Sequence, residues 1–391
     1  MAELGTDRQV ELVALMAALG PSFEARAAKF DSEASFPHEN FADLRDAGFL
    51  GLCIPERFGG MGADFATYAL VAEELGRHCG STALTFNMHT ATCLLAGPIA
   101  DQLELSPADQ QLLDTRRTAM FADILENHTI HAQPFSEGLS SGATSGIATT
   151  ATPVEGGYLV NGRKIFASLA EAAAVHNVIC LVPGDDRVRL MGVPADADGV
   201  TVTGDWDPLG MRGTVSKTLI FEDAFVPKAN EWIPPGMFDQ MATGFPYFYM
   251  TLSFAFLGLM RAVVDFTGSY IRGDMGGSSR ADNPQKQVLW AQMNIQYHQT
   301  QALTYRVLQN VEASPNPADV QRAWAAMVTT MEGAPELASM AIRACGGRSL
   351  LRPLALERLY RDARCGATML PWSVEVCLDR LGRYGLADEG D

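Results

Sequence analysis

This chain is short of several things, and each shortage excludes something. No C-x-x-C pair occurs, and the seven cysteines are scattered and odd in number. A disulfide framework or a cysteine-built zinc site is therefore not expected, and a reducing cytoplasm is the natural setting. Positive charge is scarce: 29 Lys and Arg face 46 Asp and Glu, for a net charge of −17. Such a chain repels a phosphate backbone, so no nucleic-acid partner is expected, and nothing supports docking on an anionic membrane. The first twenty residues have no basic n-region and do not read as a signal peptide. Val10, Leu12, Val13, Leu15, Met16 and Leu19 form a helical stripe there instead. Low-complexity segments and short-period repeats are missing too. One run, Gln240 to Met260, carries no charge and is long enough to cross a bilayer. It is interrupted by Gly244 and Pro246, holds two tyrosines and continues through Arg261 and Asp265, so a buried core helix is expected there and no membrane span.

What is present fits an ordinary globular protein. Hydrophobic residues make up 47% and charged residues 19% of 391 positions, enough for two or three domains or one enzyme-sized body. Residues 1–125 read as helical. Ser35 and Pro37 open a helix in FPHENFADLRDAGFL that stops at Gly48, with proline in the first turn and glycine near the end. The loop CIPERFGGMGAD leads from it into FATYALVAEELGRHC. Residues 126–235 become rich in Thr, Val, Gly and Pro. TTATPVEGGYLVNGRKIFAS predicts a hairpin, with turn dipeptides at Gly156-Gly157 and Asn161-Gly162. VHNVICLVPG, RLMGVPADADGVTVTG and SKTLIFEDAFVP read as further strands, at a spacing that suits a small antiparallel barrel or sandwich. Residues 236–391 return to three- and four-residue apolar steps in long segments, which predicts a helix bundle. The pair His128 and His131 lacks a third ligand nearby, so no metal is expected. A Ser-His-Asp hydrolase is not expected.

Several segments, taken in order, resemble the acyl-CoA dehydrogenase family. PERFGGMGAD followed by an EEL helix is similar to the family's N-terminal loop. PFSEG, GIATTAT and YLVNGRKIFAS are similar to its flavin-facing strands, and DPLGMRGTVSKTLIFEDAFVP to its G-R-(S/T) strand and closing VP turn. ACGG and LERLYRDAR are similar to its C-terminal GG-G and RDA segments. The resemblance covers nearly the whole chain and implies an α+β fold. Its parts are an N-terminal helical domain (1–125), a central antiparallel β barrel or sandwich (126–235) and a C-terminal four-helix bundle (236–391). It further implies FAD held between β domain and bundle, with a neighbouring subunit often completing the site. The implied reaction removes an α proton and a β hydride from an acyl thioester.

The resemblance also implies roles for particular residues. Gln133, Phe135 and Ser136 run along the flavin, and Ser141 and Gly142 fall in the segment that replaces GAGSD. Phe166 stands where the family has a Trp packed by the isoalloxazine. Ser168 stands where it has a Thr near N5, and a hydroxyl there can stabilise the electron density gained on reduction. Gly346 and Gly347 match the diglycine that approaches the adenosine end, often across a dimer.

The departures concern the chemistry. Counting on from Arg361-Asp362-Ala363, the usual catalytic Glu is replaced by Leu370, and the alternative Glu position on the first C-terminal helix is Phe248. The R-x-x-F-G motif, whose Arg meets the FAD pyrophosphate, reads Arg272-Gly273-Asp274-Met275-Gly276-Gly277, which leaves Arg280 as a substitute. The Gln often found before GG is Arg343. Tyr249 and His89 become the candidate proton acceptors. Tyr249 has an ordinary pKa of about 10, and the His89 helix lines the acyl pocket in this family. Three functions follow as expectations. The first is α,β-dehydrogenation of an acyl-CoA or acyl-carrier-protein thioester with a relocated base and a flavin-linked electron acceptor. The second is a base-less partner subunit of a heteromeric acyl-CoA dehydrogenase. The third is a repurposed flavoenzyme, monooxygenase-like or desulfinase-like, whose chemistry needs no α-proton base. A homodimer or homotetramer is implied for the first, and a heteromer with a Glu-bearing homologue for the second.

Overall fold

The architecture comes from a computed structural model that describes residues 5–138 and 146–386. The first helical layer holds α1 (Asp7–Glu33), α2 (His38–Asp46), α3 (Phe65–His78), α4 (Gly80–Leu94) and α5 (Pro107–Glu126). Its boundaries are written in local chemistry. Thr6 and Gln9 close a reciprocal capping box on α1, and Ser106 caps α5 with Pro107 in the first turn. α2 stops before Gly48, which adopts φ 79°. Of the six residues of the expected N-terminal stripe, Leu12 and Met16 are buried, Val13 and Leu19 pack half-buried against the core, and Val10 and Leu15 face outward.

The middle layer is a seven-stranded sheet in the order β1-β4-β2-β3-β7-β6, with β5 paired to β4. Its strands are β1 (His131–Ala132), β2 (Thr150–Val154), β3 (Gly157–Ala167), β4 (Val175–Val182), β5 (Asp185–Pro194), β6 (Val200–Thr203) and β7 (Lys217–Pro227). Most pairs are antiparallel, but β4 pairs parallel with both β1 and β2. The expected β2–β3 hairpin forms, turning at Gly156 with φ 80°. Asn161-Gly162 is not a turn. It lies inside β3 at a register shift against β7, where the Asn161 side chain bonds Asp223 in β7. Pairing with a third strand overrides the local turn signal.

The last layer holds α6 (Met237–Gly244), α7 (Ser253–Arg272), α8 (Pro284–Leu308), α9 (Pro317–Cys345), α10 (Ala355–Cys365) and α11 (Val374–Leu386). Asn283-Pro284 and Asn316-Pro317 open α8 and α9 with the same cap-then-proline device as α5. The uncharged run breaks at a 3-10 turn over Pro246–Met250 before α7 begins. The stretch Pro246–Arg272 is long and apolar enough to cross a membrane, and 78% of its most apolar window is buried inside the protein. α7 packs on α3 almost backbone to backbone. A Cβ on Gly258 would stand 1.9 Å from the Glu73 carbonyl oxygen, and one on Gly76 would stand 2.3 Å from that of Ala255. This close crossing locks the first helical layer to the last and leaves a cleft between both and the sheet.

Candidate active site

The cleft is a cavity of about 630 Å³ with two unlike walls. The sheet supplies one. Gln133, Phe135 and Ser136 follow β1, and the Ser136 carbonyl accepts from the Ile165 amide (2.8 Å), which stitches this segment to β3. Glu137 is tied to the buried Lys164 ammonium, to the Thr149 hydroxyl (2.6 Å) and to the Ala148 amide (2.6 Å). Burial pushes its carboxyl up, but the Lys164 charge and these hydrogen bonds outweigh burial and hold it below its ordinary value. At the end of β3 the chain bends through two left-handed residues, Phe166 (φ 50°) and Leu169 (φ 69°). The bend leaves the Phe166 ring 69% exposed on the cavity wall, edge-on to Trp206 at 6.5 Å. Ser168 sits within the bend. Its Oγ lies 2.7 Å from Ser216 Oγ, which lies 2.7 Å from Thr214 Oγ1, and all three residues line the cavity.

Helices supply the other wall. Leu84, Met88 and Ala91 come from α4, Phe248, Tyr249 and Leu252 from the turn before α7, and Cys365, Met369, Leu370 and Pro371 from the end of α10 onward. Tyr249 leans on Trp372 at 5.7 Å, and burial pushes its phenol up to about 12. Burial likewise pushes the Cys365 thiol up to about 11.

Both positions at which the family carries its base, Leu370 and Phe248, therefore face this space, and so does Tyr249. His89 does not, which corrects the expectation from its helix. It is fully buried on a face of α4 turned away from the cavity, with Nε2 donating to the Leu50 carbonyl (3.0 Å) and Nδ1 accepting from the His131 amide (3.1 Å). Burial pulls its pKa down to about 4, so it is a neutral core residue. His131 is held beside it by Asn177 and is pulled down to about 3 by burial, with His89 adding to the effect. Gly346 and Gly347 lie apart from the cavity lining, with open space at both Cβ positions. Arg272 is engaged by Asp274 (2.9 Å), whereas the Arg280 guanidinium reaches the Cys345 carbonyl (3.5 Å), next to the diglycine. Ser141 and Gly142 lie outside the described residues.

The sequence reading missed Thr214 and Ser216. They lie inside DPLGMRGTVSK, a segment that served only to recognise the fold. No strand spacing could have found them: Thr214 ends a 3-10 turn and Val215 is left-handed (φ 44°), so the period of an extended strand does not hold there.

The sheet wall fits a flavin. Gln133 is 7% exposed, and its Nε2 has no partner among the described residues although the residue lines the cavity. A buried amide donor left free in this way calls for an acceptor on a ligand. Beside it stand a projecting aromatic ring and a row of hydroxyls, which match the flat face and polar edge of an isoalloxazine.

Family models agree with this geometry. Those for the N-terminal, middle and C-terminal domains of acyl-CoA dehydrogenase match residues 15–101, 136–224 and 238–370. The chain belongs to the acyl-CoA dehydrogenase family. It therefore shares a fold with flavin-dependent oxidoreductases, and FAD is the cofactor that acyl-CoA dehydrogenases use. Human mitochondrial short-chain specific acyl-CoA dehydrogenase is 28% identical over 353 residues, covering 86% of this chain and 80% of the relative. L-evernosamine nitrososynthase of Micromonospora is 26% identical, covering 97% and 91%. Among solved structures, dibenzothiophene monooxygenase from Paenibacillus sp. A11-2 in complex with FMN and indole superposes with a TM-score of 0.82 at 22% identity, over 96% and 97% of the two chains. That likeness establishes the fold. Within the acyl-CoA dehydrogenase family, then, this chain has relatives with different chemistries.

Proposed function

We propose that this member of the family is a flavin-dependent oxygenase acting on a compact, uncharged, flat substrate, and that it does not abstract an α proton from an acyl thioester. The helical wall of the cavity carries this reading. A general base must stand within hydrogen-bond reach of its proton and titrate near the working pH. Leu370 is hydrocarbon. The one carboxylate among the described lining residues, Glu137, is already committed to Lys164, Thr149 and Ala148. Tyr249 at about 12 and Cys365 at about 11 keep their protons at neutral pH. No Lys or Arg occurs among the described lining residues, so the walls offer no counter-charge to the phosphates of CoA or of a nucleotide sugar. Met88, Phe248, Tyr249, Leu252 and Met369 suit an aromatic ring better, and indole bound to the Paenibacillus monooxygenase is a molecule of that kind.

A bound flavin would supply the redox chemistry. The chain's own residues orient and enclose. Gln133 Nε2 and the Ser168 hydroxyl would offer donors to a bound flavin, Phe166 and Trp206 would pack beside it, and the helical wall would line the substrate side. Arg280 would suit the pyrophosphate of FAD, and the open Gly346-Gly347 corner its adenosine end. Dehydrogenation of an acyl thioester is the second reading, favoured by the human short-chain relative.

The deciding experiment loads the protein with flavin, reduces it, and admits isotopically labelled dioxygen with indole as probe. The reading expects a product carrying one labelled oxygen atom. Reduced flavin that reoxidises with indole unchanged, alongside conversion of butyryl-CoA to its enoyl product, would replace it with the second reading.

A further inference from the structure

The backbone strain in this molecule is concentrated around three hydroxyls. Eight non-glycine residues have positive φ among those described, and four of them, Phe166, Leu169, Met211 and Val215, flank Ser168, Thr214 and Ser216. Left-handed backbone is unfavourable for an L-residue and unusual for a β-branched side chain such as Val215 (φ 44°). Conformations of this kind persist when their surroundings over-determine them, and they gather at functional sites. The surroundings here do so. The Met211 amide donates to the buried Asp362 carboxyl (2.5 Å), the Arg212 guanidinium to the Asp31 carbonyl (2.7 Å), and the Trp206 indole to the Arg212 carbonyl (2.9 Å). Gly210 lies so close to α10 that a Cβ would stand 2.4 Å from the Arg361 carbonyl. The turn that carries Thr214 and Ser216 is thus braced from behind, and in front it meets the Phe166–Leu169 bend at Ser168.

We propose that these three hydroxyls form a rail that tunes the bound flavin, with Ser216 and Thr214 as positioning residues acting through Ser168. A hydroxyl donates one hydrogen bond and accepts two. If Thr214 donates to Ser216 and Ser216 to Ser168, the Ser168 proton is left to point into the cavity. Each donor in such a chain polarises the next, and the effect is strongest away from water. Thr214, Ser216 and Ser168 are 1%, 6% and 8% exposed. As the flavin gains electrons, negative charge builds at its polar edge, and a polarised Ser168 donor stabilises that state more than the oxidised one.

The inference rests on the flavin seat and not on the choice between oxygenation and dehydrogenation, so its test uses a potential. The midpoint potential of the flavin-loaded protein is measured against a reference dye during enzymatic reduction, for the wild type, Ser216→Ala, Ser216→Thr and Thr214→Val. Loss of the Ser216 donor is expected to shift the equilibrium about tenfold toward oxidised flavin, the size of one hydrogen bond to a developing charge. For a two-electron couple that is about 30 mV more negative. Ser216→Thr should restore the wild-type value, and Thr214→Val should give a smaller shift of the same sign. If Ser216→Ala fails to retain flavin, the Thr214→Val shift decides the matter. Potentials indistinguishable from wild type in the flavin-bound variants overturn the rail and leave the flavin seat standing. A wild-type protein that binds no flavin overturns both.

Discussion

The sheet wall and the helical wall of one cavity differ in how far each keeps the chemistry of its family. On the sheet wall, Ser136, Phe166 and Ser168 occupy the flavin-facing positions, Glu137 and Lys164 form a buried ion pair behind them, and three hydroxyls are linked in series. On the helical wall, Leu370 and Phe248 stand at both base positions, and Tyr249 and Cys365 hold their protons well above neutral pH. The proposal drawn from this contrast is that cofactor handling and proton abstraction are separable parts of this fold: one wall keeps a carboxylate, an amide and linked hydroxyls, and the other keeps no group that titrates near neutral pH.

Substitutions can break or sharpen that contrast. The largest effect is expected on the sheet wall. Glu137→Gln leaves the Lys164 ammonium buried and unpaired and should cost about 3–5 kcal/mol of stability, read from denaturant unfolding. The wild type should also show a pH dependence that the variant lacks. The Glu137 carboxyl is held below its ordinary value of about 4.3. Its stabilisation is therefore present above that pH and lost as pH falls through the lower, folded-state value.

Leu370→Glu tests the helical wall in the opposite sense. With Leu370 already 42% exposed, the fold should tolerate it with little change in stability. A restored base should raise acyl-CoA dehydrogenation by about 10²-fold over the wild-type background, measured as anaerobic flavin bleaching. Arg280→Ala probes the far corner by the diglycine. Losing a charged contact to a pyrophosphate should weaken FAD binding about tenfold and leave FMN binding unchanged, as followed by fluorescence titration. The smallest effect belongs to Tyr249→Phe. A phenol that titrates near 12 is no base at neutral pH, so the pH–rate profile should keep its shape.

Much of this was legible in the sequence because it rests on patterns that survive divergence. Helix, strand and helix textures follow one another in order, and counting from Arg361-Asp362-Ala363 leads to Leu370, which does line the cavity. The misses share a physical cause: they depend on what packs across the chain. His89 lies on a helix whose apolar residues run nearly all the way round, so spacing could not tell cavity face from core face. Phe166 is not among them: the resemblance assigned it to the cofactor, and its left-handed backbone is what turns the ring onto the cavity wall. Asn161-Gly162 carries a turn signal that β7 overrules. Thr214 and Ser216 acquire meaning only when a second strained turn delivers Ser168 to them.

The central claim is that the helical wall no longer takes a proton from a thioester. The direct measurement is the flavin absorbance of the loaded wild-type protein, with oxygen excluded, as butyryl-CoA and then octanoyl-CoA are added. The account predicts an unchanged oxidised spectrum with both. Bleaching with either, accompanied by the enoyl-CoA product, would contradict it.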